Sequence, residues 1–495
     1  MKPWAGSVRN ERGVALPLAL FALVSLTAFV LTFVSMGSME PQISRNLSAA
    51  TQGRYSADAG IEWAFDQLAN PATNWSTVLQ GPNKVAGSNP QAVWLTGANG
   101  AQTTLPGLTA NFGTFTVQVR NDVLATDTAL TGLPAEPAAN TTTDTNGALI
   151  VTATGTYNNM TRQIQVVISR ITIPTMPGAL NCGGLQCDLD MGVVSDWTNH
   201  HFHSNGLDYA EDPGNPANMM GVSGPLKYAI ATPTGNQPNT GGQSYESRVE
   251  NALNKHQINE MDGLQQGSSP PVAVVSRMYD DAGKNAIAAD SQLASKVDGS
   301  GNFLSNSVSD FVNKLKAQSV TVLQSTSGTS VTIQDGQPIG ANNNLPVNLG
   351  TTSNPTISYF KGDPNNASSP ARVLILKGTN SGAGILIVED GTLEIYDNFR
   401  WDGVIILTGK SVGVSFDKSV QANVYGGVIL NETRKDKDTP DYELKLQKNS
   451  VHSEDGLAPP GANDIYYTKL YSSSQRVNQA QSIRSLVKTS GWREM

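Results

Sequence analysis

The chain has 495 residues, and its 33 Lys and Arg residues against 41 Asp and Glu residues give a formal net charge of −8. This balance argues against a protein whose main role is to bind nucleic-acid phosphates, so no nucleic-acid partner is predicted. Only 15% of the residues are charged, while 47 are glycine and 26 are proline, which predicts a body rich in strands and turns rather than a helical bundle. The two cysteines are too few for a disulfide scaffold or a Cys-based zinc module as the main architecture.

The chain begins with a basic leader, residues 1–13, that is followed by an apolar run. Residues 14–36 contain no charged side chain, and as a helix they would span about 34 Å, enough to cross the apolar core of a bilayer. Because the positive charges precede the run, we expect the N-terminus in the cytoplasm and the body in the periplasm. The run is longer than the apolar core of a secretory signal. An uncleaved signal anchor is the simplest interpretation of this segment alone.

The helical pattern continues beyond the apolar run. Apolar and small residues recur at spacings of three, four and seven, which predicts one helix over residues 14–70 with an amphipathic second half. Its stripe consists of Ile43, Leu47, Ala50, Ala57, Ile61, Phe65 and Leu68. A long helix, half in a membrane and half packed on a head, resembles that of a type IV pilin. Within this superfamily, the junction Arg12-Gly13-Val14 and the segment Ala57-Asp58-Ala59-Gly60-Ile61-Glu62 resemble the PilX-type minor pilins.

The resemblance implies steps of processing and assembly. A prepilin peptidase would cut after Gly13 and methylate the new N-terminus at Val14, and the helix would join other pilins at an inner-membrane assembly platform. Pilins of this superfamily usually carry Glu at the fifth mature position, where the carboxylate is thought to neutralise the terminal amine of a neighbouring subunit. This chain has Leu18 there. A subunit at the tip has no neighbour above it, so the sequence favours a tip or priming role over a repeated one.

Residues 71–177 predict a β-rich, pilin-like head. Residues 112–119, 148–154 and 161–171 alternate apolar and polar side chains, as strands do, and a turn at Tyr157-Asn158-Asn159 separates the last two. A sheet of such hairpins needs a cover for its apolar face, and the second half of the N-terminal helix is the natural one.

Glycine-led apolar strands recur in the second half of the chain. They begin at Gly384, Gly403 and Gly427, and such strands at intervals of roughly 20 residues predict a β-solenoid, whose rungs bury their apolar residues by stacking. We place this domain at residues 178–432, with a helical insertion at about 245–318. A β-sandwich is the alternative.

The predicted fold class is therefore mainly β with a long N-terminal α-helix. A pilin-like helix and β-sheet head come first, and a β-solenoid (β-helix-like) domain with inserted helices follows. Residues 433–495 mix charges with tyrosines and are predicted to form a capping tail.

Two small groups of residues are candidates for a covalent bond or a ligand. Cys182 and Cys187 enclose four residues, and outside the cytoplasm a disulfide is their expected state, contributing about 2 kcal/mol. His201 and His203 would share one face of a strand, and with a carboxylate such as Asp208 they could bind zinc or copper. Polar histidines on an exposed turn are the alternative.

The densest group of carboxylates in the second half has an aromatic neighbour. Acidic groups beside an aromatic ring on a solenoid wall could contact a polysaccharide, or cut it as paired carboxylates do in glycosidases. A solvent-exposed face that carries charge without binding anything is the alternative. The candidate glycan contacts are Asp390, Asp397, Arg400, Trp401 and Asp402.

Together these features predict a non-enzymatic minor pilin-like subunit without a cofactor. It would be made in the inner membrane and carried to the pilus and cell surface, where its head adheres to or senses a glycan or another surface. A secretion pseudopilin would have the same helix. The alternative from a different class is a signal-anchored periplasmic β-solenoid protein that binds or cleaves polysaccharide.

Overall fold

The computed structural model describes most of the chain after residue 14, so Gly13 and Val14 lie outside the described residues. The described ranges are 15–70, 73–104, 109–190, 200–238, 241–253, 261–263, 287–293, 296–300, 303–317, 322–324, 330–340, 347–362, 372–410, 412–417, 420–433, 444–446, 466–483 and 486–494.

The chain divides into two compact units. The first comprises Met1–Leu68, Thr73–Ser169 and Thr489–Met495, and the second comprises Ala69–Ala72 and Arg170–Lys488.

The described residues form helices and many strands. The helices are α1 (Ala15–Ala69), α2 (Trp75–Leu79), α3 (Thr128–Thr131), α4 (Tyr245–Ala252), α5 (Ser307–Ala317) and α6 (Ser474–Gln481). The strands are β1 (Ala92–Trp94), β2 (Thr114–Asn121), β3 (Ala148–Tyr157), β4 (Met160–Arg170), β5 (Gly178–Cys182), β6 (Leu189–Asp190), β7 (His200–Asn205), β8 (Tyr209–Asp212), β9 (Asn215–Gly221), β10 (Tyr228–Pro233), β11 (Met261–Asp262), β12 (Ile287–Asp290), β13 (Lys296–Val297), β14 (Phe303–Ser305), β15 (Val322–Gln324), β16 (Val331–Gln334), β17 (Gln337–Pro338), β18 (Thr356–Lys361), β19 (Arg372–Lys377), β20 (Thr379–Glu389), β21 (Thr392–Ile395), β22 (Asn398–Gly409), β23 (Gly413–Phe416), β24 (Gln421–Glu432), β25 (Leu444–Leu446), β26 (Tyr466–Ser472) and β27 (Val487–Glu494).

The sheet of the first unit has the strand order β1-β2-β3-β4-β27, and β1 to β4 run antiparallel. β3 and β4 are joined by a two-residue turn in which Asn158 and Asn159 have φ angles of 44° and 63°, a left-handed conformation that asparagine tolerates well. The last strand of the chain, which the sequence places in a capping tail, forms one edge of this sheet.

The second half of α1 packs closely on this sheet. Ala57, Ile61 and Leu68 are fully buried. A Cβ atom at Gly155 of β3 would lie 2.1 Å from the carbonyl oxygen of Gly53, so helix backbone and strand backbone are in direct contact there. Only glycine permits an approach this close.

The buried stripe of α1 begins later than the sequence predicts. Ile43 and Leu47 are 64% and 68% exposed, whereas burial on the helix begins at Ala49. The spacing of apolar residues extends the stripe toward the N-terminus, but the sheet of this unit does not reach that far. The helix therefore carries an apolar face without a cover inside its own unit.

The polar segment between β2 and β3 is ordered by a buried carboxylate. The Oε1 atom of Glu136 accepts hydrogen bonds from the backbone N–H groups of Thr145 (2.6 Å) and Asn146 (2.9 Å), and its Oε2 atom accepts one from Nδ2 of Asn121 (3.0 Å). In the same segment, burial raises the pKa of Asp144 to about 6. A composition rich in turn residues predicts a loop here, but not these buried charges.

The raised pKa of Asp144 predicts a pH-dependent stability. The folded state holds the proton of Asp144 up to about pH 6, while the unfolded chain releases it near pH 4. The contribution of this protonation to the free energy of unfolding is therefore fully present below pH 4 and is lost as the pH rises through 6. An asparagine side chain at this position would stay neutral throughout and could still accept the hydrogen bond from Gly147 N–H. Thermal unfolding should therefore show that Asp144→Asn gains stability over the wild type between pH 4 and pH 7. An equal difference at both pH values would contradict this.

Two large sheets in the second unit consist mainly of parallel strands. One has the order β11-β7-β26-β24-β22-β20-β18-β15, and the other has the order β17-β16-β19-β21-β23-β25-β6. From β19 to β26 the chain alternates between the two sheets, so each successive pair of strands adds one strand to each sheet. This parallel alternation differs from a β-sandwich, whose sheets are antiparallel. β25 and β26 come from the predicted capping tail and extend both sheets.

A column of glycines crosses the larger sheet. Gly384, Gly403 and Gly426 pair in register in β20, β22 and β24, with φ angles of 114°, 145° and 138°. The prediction that Gly427 matches Gly403 is therefore wrong by one residue. Gly427 instead lies against Met176, whose Sδ atom would be 2.8 Å from a Cβ atom at that position.

Beyond the glycine column, the strands of the larger sheet are covered on both faces. Ile405 and Leu407 pack inward between the two sheets, whereas Val404 and Ile406 point outward and pack with the residues of α5 and α6. Burial on both faces explains why these strands read as continuous apolar runs in the sequence.

The predicted insertion at 245–318 is only partly helical among the residues that the structure describes. α4 and α5 lie there, but Ile287–Asp290 form β12, which pairs in parallel with β10, where the sequence pattern predicts a helix. Ile287 and Ala288 are buried, so pairing with a neighbouring strand outweighs a short helical pattern.

The glycine column predicts a sharp sensitivity to substitution. In Gly403→Ala, the new Cβ atom would lie 2.0 Å from the carbonyl oxygen of Gly384, and backbone cannot move aside as a side chain can. We expect a loss of about 2 kcal/mol or more in the free energy of unfolding, measured by chemical denaturation. Gly221→Ala is the control, because nothing lies within 4 Å of a Cβ atom there. Equal effects of the two substitutions would contradict the packing described.

Candidate functional site

Large apolar side chains are exposed along the first half of α1. Among the described helices, α1 is long and apolar enough to cross a membrane. A continuous apolar surface of this size on a soluble protein would require a lipid or protein partner. The side chains concerned are Leu16, Leu18, Leu20, Phe21, Leu23, Val24, Leu26, Phe29, Val30, Leu31, Phe33, Val34, Met36, Met39, Ile43 and Leu47, each more than half exposed.

The two cysteines form a disulfide in the structure, with their Cα atoms 5.7 Å apart. Cys182 ends β5 and pairs with Leu430 of β24, and the N–H group of Gly183 donates a hydrogen bond to the Leu430 carbonyl oxygen (2.7 Å). Both cysteines are fully buried. The bond therefore lies inside the fold and fastens the chain just after β5.

The predicted histidine pair lies on β7, where His201 and His203 pair in register with Tyr467 and Lys469 of β26. The side chain of His201 lies outside the described part of the structure, and that of His203 is half-buried. Asp208, the carboxylate that might have joined them, accepts a hydrogen bond from the N–H group of Ser474 (2.7 Å). Within the described ranges, no group of three or more His, Cys, Asp or Glu side chains is arranged to hold a metal ion.

Two of the predicted glycan contacts are turn residues. Asp390 and Asp397 have φ angles of 56° and 62°, and each accepts a backbone hydrogen bond from a neighbouring turn. The Oδ1 atom of Asp390 is 2.9 Å from the nitrogen of Lys410, and the Oδ2 atom of Asp397 is 2.9 Å from that of Gly378. Both carboxylates thus join two neighbouring turns, and Asp390 is buried.

Trp401 does not reach solvent. It is fully buried between the two sheets of the second unit, together with Phe399. Side chains alternate along β22, so that Phe399 and Trp401 point inward while Arg400 and Asp402 point outward. The prediction that Trp401 contacts a glycan is therefore wrong, because the ring is part of the core.

Asp402 belongs to a buried ion network. Its Oδ2 atom is 2.8 Å from Nε of Arg400, and its Oδ1 atom is 2.8 Å from Nε of Arg476. Arg476, in α6, is completely buried and also contacts Glu211 of β8, at 2.8 Å. The hydrogen bond with Asp402 raises the pKa of Arg400. Two cations thus share one buried carboxylate, which makes Asp402 the centre of the network.

A tyrosine cluster adjoins this network, and the sequence reasoning missed it. Tyr425 and Tyr471 stack with their ring centroids 5.1 Å apart, and Tyr209 lies 4.4 Å from Tyr471. Arg400 lies over the ring of Tyr425, at 5.3 Å, and burial raises the pKa of Tyr425. The alternation of Tyr467, Lys469 and Tyr471 in the sequence is the signal that could have indicated it.

The comparisons with known proteins include a similarity to a solved structure. The chain is similar to the crystal structure of the competence-associated pilin ComZ from Thermus thermophilus, with 10% sequence identity over 90% of this chain and 96% of that chain, and a TM-score of 0.23. No protein-family model matches the chain, and no curated protein matches it.

The ion network predicts that Asp402 is structural. Asp402→Asn removes the shared countercharge of Arg400 and Arg476 in a buried site, which should lower the free energy of unfolding by about 3 kcal/mol. Asp397→Asn makes the same chemical change at an exposed turn. Asparagine can accept the same hydrogen bond there and tolerates the same φ angle, so the free energy of unfolding should change by less than about 0.5 kcal/mol. Urea denaturation of both variants measures the difference. Equal stabilities would rule out the network as a source of stability.

Proposed function

We propose that this chain is a non-enzymatic minor pilin-like subunit, of the PilX type, that takes part in type IV pilus or pseudopilus assembly. The observation that carries the proposal is α1, a single 55-residue helix with two different halves. Its second half packs on the sheet of the first unit, and its first half leaves its large apolar side chains exposed. An anchor needs only the apolar half, whereas a subunit that polymerises through its helix needs both.

We expect the apolar half of α1 to be covered first by the membrane and later by the helices of other pilins. Leaving a large apolar side chain in water rather than burying it costs about 1.5–3 kcal/mol, and sixteen such side chains are exposed between Leu16 and Leu47. In the precursor the inner membrane covers residues 14–36, with the N-terminus in the cytoplasm and the body in the periplasm. In the assembled pilus the helices of other pilins cover them. Ile43 and Leu47 extend this surface beyond the membrane-spanning segment.

Processing at the leader is part of the proposal. A prepilin peptidase cuts after Gly13 and methylates Val14, and the inner-membrane assembly platform then extracts the subunit. Leu18 supports a position at the tip. A buried, unpaired terminal amine costs several kcal/mol, and a subunit without the fifth-position carboxylate cannot neutralise the amine of a neighbour.

The second unit is proposed to be a β-solenoid head that adheres to or senses a surface. Its alternating parallel strands and its in-register glycine column support this. The disulfide between Cys182 and Cys187 fits folding in the oxidising periplasm. Polysaccharide cleavage by Asp390 and Asp402 has no such support, since one carboxylate is bound in a turn and the other is shared by two arginines.

Leader processing tests the proposal directly. When the full chain is expressed with a prepilin peptidase, intact-mass measurement should give a product that lacks residues 1–13 and carries one extra methyl group. Gly13→Leu should block this cleavage, because the peptidase requires a small residue at the cut, whereas Gly6→Leu within the same leader should not. A wild-type chain that keeps its leader would overturn the proposal. Immunogold labelling at filament ends, rather than along the shaft, tests the tip position.

A further inference from the structure

A buried amide in the first unit carries an oxygen that has no hydrogen-bond partner. Asn121 is the last residue of β2 and is completely buried, and its Oδ1 atom accepts no hydrogen bond. A buried polar atom without a partner costs free energy, and each such atom in a folded protein calls for a physical explanation. A ligand that binds at this amide would provide one.

The Nδ2 atom of the same amide faces three oxygens. They are Oε2 of Glu136 at 3.0 Å and the main-chain oxygens of Asn140 at 2.7 Å and Thr143 at 2.9 Å. An amide nitrogen has only two hydrogens to donate, so it cannot satisfy all three oxygens fully. A half-turn of the amide exchanges its oxygen and nitrogen and brings Oδ1 to the same three atoms. Four oxygens that close together repel one another unless a cation lies among them.

Three carboxylates of this segment lack a basic partner among the described residues. Asp122 and Glu136 are buried and Asp144 is half-buried, and none of the three forms an ion pair with a lysine or arginine there. Arg120, the basic residue of β2, is bound to Asp127 instead, at 2.6 Å. Because buried charges are normally paired or bound to a metal ion, the segment has an excess of negative charge that a bound cation would balance.

The donor atoms at this amide select the kind of cation. All four are oxygens, which suit a hard cation such as Ca²⁺ rather than zinc or copper. In the described ranges no three acidic side chains are arranged around one metal position, so amide and main-chain oxygens have to supply most of the ligands. Ca²⁺ accepts such oxygens in a flexible geometry and completes its shell with water, whereas Mg²⁺ demands a near-ideal octahedron. Water can reach the site, since Asn140 is half-exposed and Thr143 is exposed.

We propose that the segment between β2 and β3 binds one calcium ion through Oδ1 of Asn121, Oε2 of Glu136 and the main-chain oxygens of Asn140 and Thr143. A site with a single carboxylate ligand is weak, and we expect a dissociation constant of about 10⁻⁴–10⁻³ M, as in extracellular calcium modules. The inference goes beyond the pilin proposal and does not depend on it.

Calcium titration of the full chain in detergent tests the inference. After treatment with EGTA and its removal, isothermal titration calorimetry with Ca²⁺ measures the dissociation constant, and thermal unfolding measures the effect on stability. At a free Ca²⁺ concentration of ten times the dissociation constant, the ratio of folded to unfolded protein should rise about elevenfold. Mg²⁺ at the same concentration and ionic strength should have a much smaller effect.

Two substitutions of ligands should change the affinity in opposite directions. Glu136→Gln removes the carboxylate ligand and should weaken calcium binding at least about tenfold. Asn121→Asp places an oxygen at both ends of the side chain. Without calcium these oxygens face Glu136 and the two main-chain oxygens, so the variant should unfold at a lower temperature than the wild type. Calcium should restore its stability and bind about tenfold more tightly than to the wild type, which keeps the test decisive if Glu136→Gln does not fold.

An asparagine elsewhere in the same unit provides the control. Asn159 lies in the exposed turn between β3 and β4, with a φ angle of 63° that aspartate also tolerates. Asn159→Asp adds the same negative charge as Asn121→Asp, but it should leave the calcium affinity and the effect of calcium on thermal unfolding unchanged.

Four outcomes would overturn the inference. They are the absence of calcium binding, equal stabilisation by Mg²⁺ and Ca²⁺, wild-type calcium affinity in Glu136→Gln or Asn121→Asp, and failure of saturating calcium to stabilise Asn121→Asp. The measurements need neither leader cleavage nor filament assembly, so none of these outcomes bears on the pilin proposal.

Discussion

The second unit depends on strands that stack in parallel and in register. Each strand of the larger sheet satisfies its backbone hydrogen bonds on the next, and the glycine column at Gly384, Gly403 and Gly426 allows these strands to adopt the same unusual backbone conformation at the same level. Because neighbouring backbones lie within contact distance of these glycines, the strands cannot shift their register by even one residue. A shift by one would exchange inward and outward side chains along a whole strand.

Register also decides which side chains lie on the outer face of the larger sheet. Along β22 it places Trp401 in the core and Arg400 on the outer face, and in-register pairing then aligns Arg400 with Asn423 and Lys469. The same alternation brings Asp402 to Arg476 of α6. The ion network thus lies on the outer face of the larger sheet, where Asp402 meets Arg476 of α6 and Arg400 donates a hydrogen bond to Ala217 of β9.

In the first unit, the corresponding constraint is the close contact between α1 and β3. Gly155 lets the helix backbone lie directly on the strand, which fixes the helix against the head along one stripe. From Ala49 toward the C-terminal end of α1 the stripe is buried, whereas Ile43 and Leu47, on the N-terminal side of this contact, are exposed. One helix thus carries a packed half and an uncovered half.

The sequence by itself determined the features that follow from local pattern. The apolar run, the length of α1 and the hairpin at Asn158-Asn159 all depend on residues close together in the chain, and the structure contains each of them. The recurring glycines lie inside β20, β22 and β24 rather than at the start of these strands. Only the tertiary structure decided the rest. β12 is a strand because β10 lies beside it, Trp401 is buried because a second sheet faces it, and Asp402 is held by an arginine more than seventy residues away. Periodicity reports which residues share a face, but burial and pairing depend on what is packed against that face, and a single sequence does not state this.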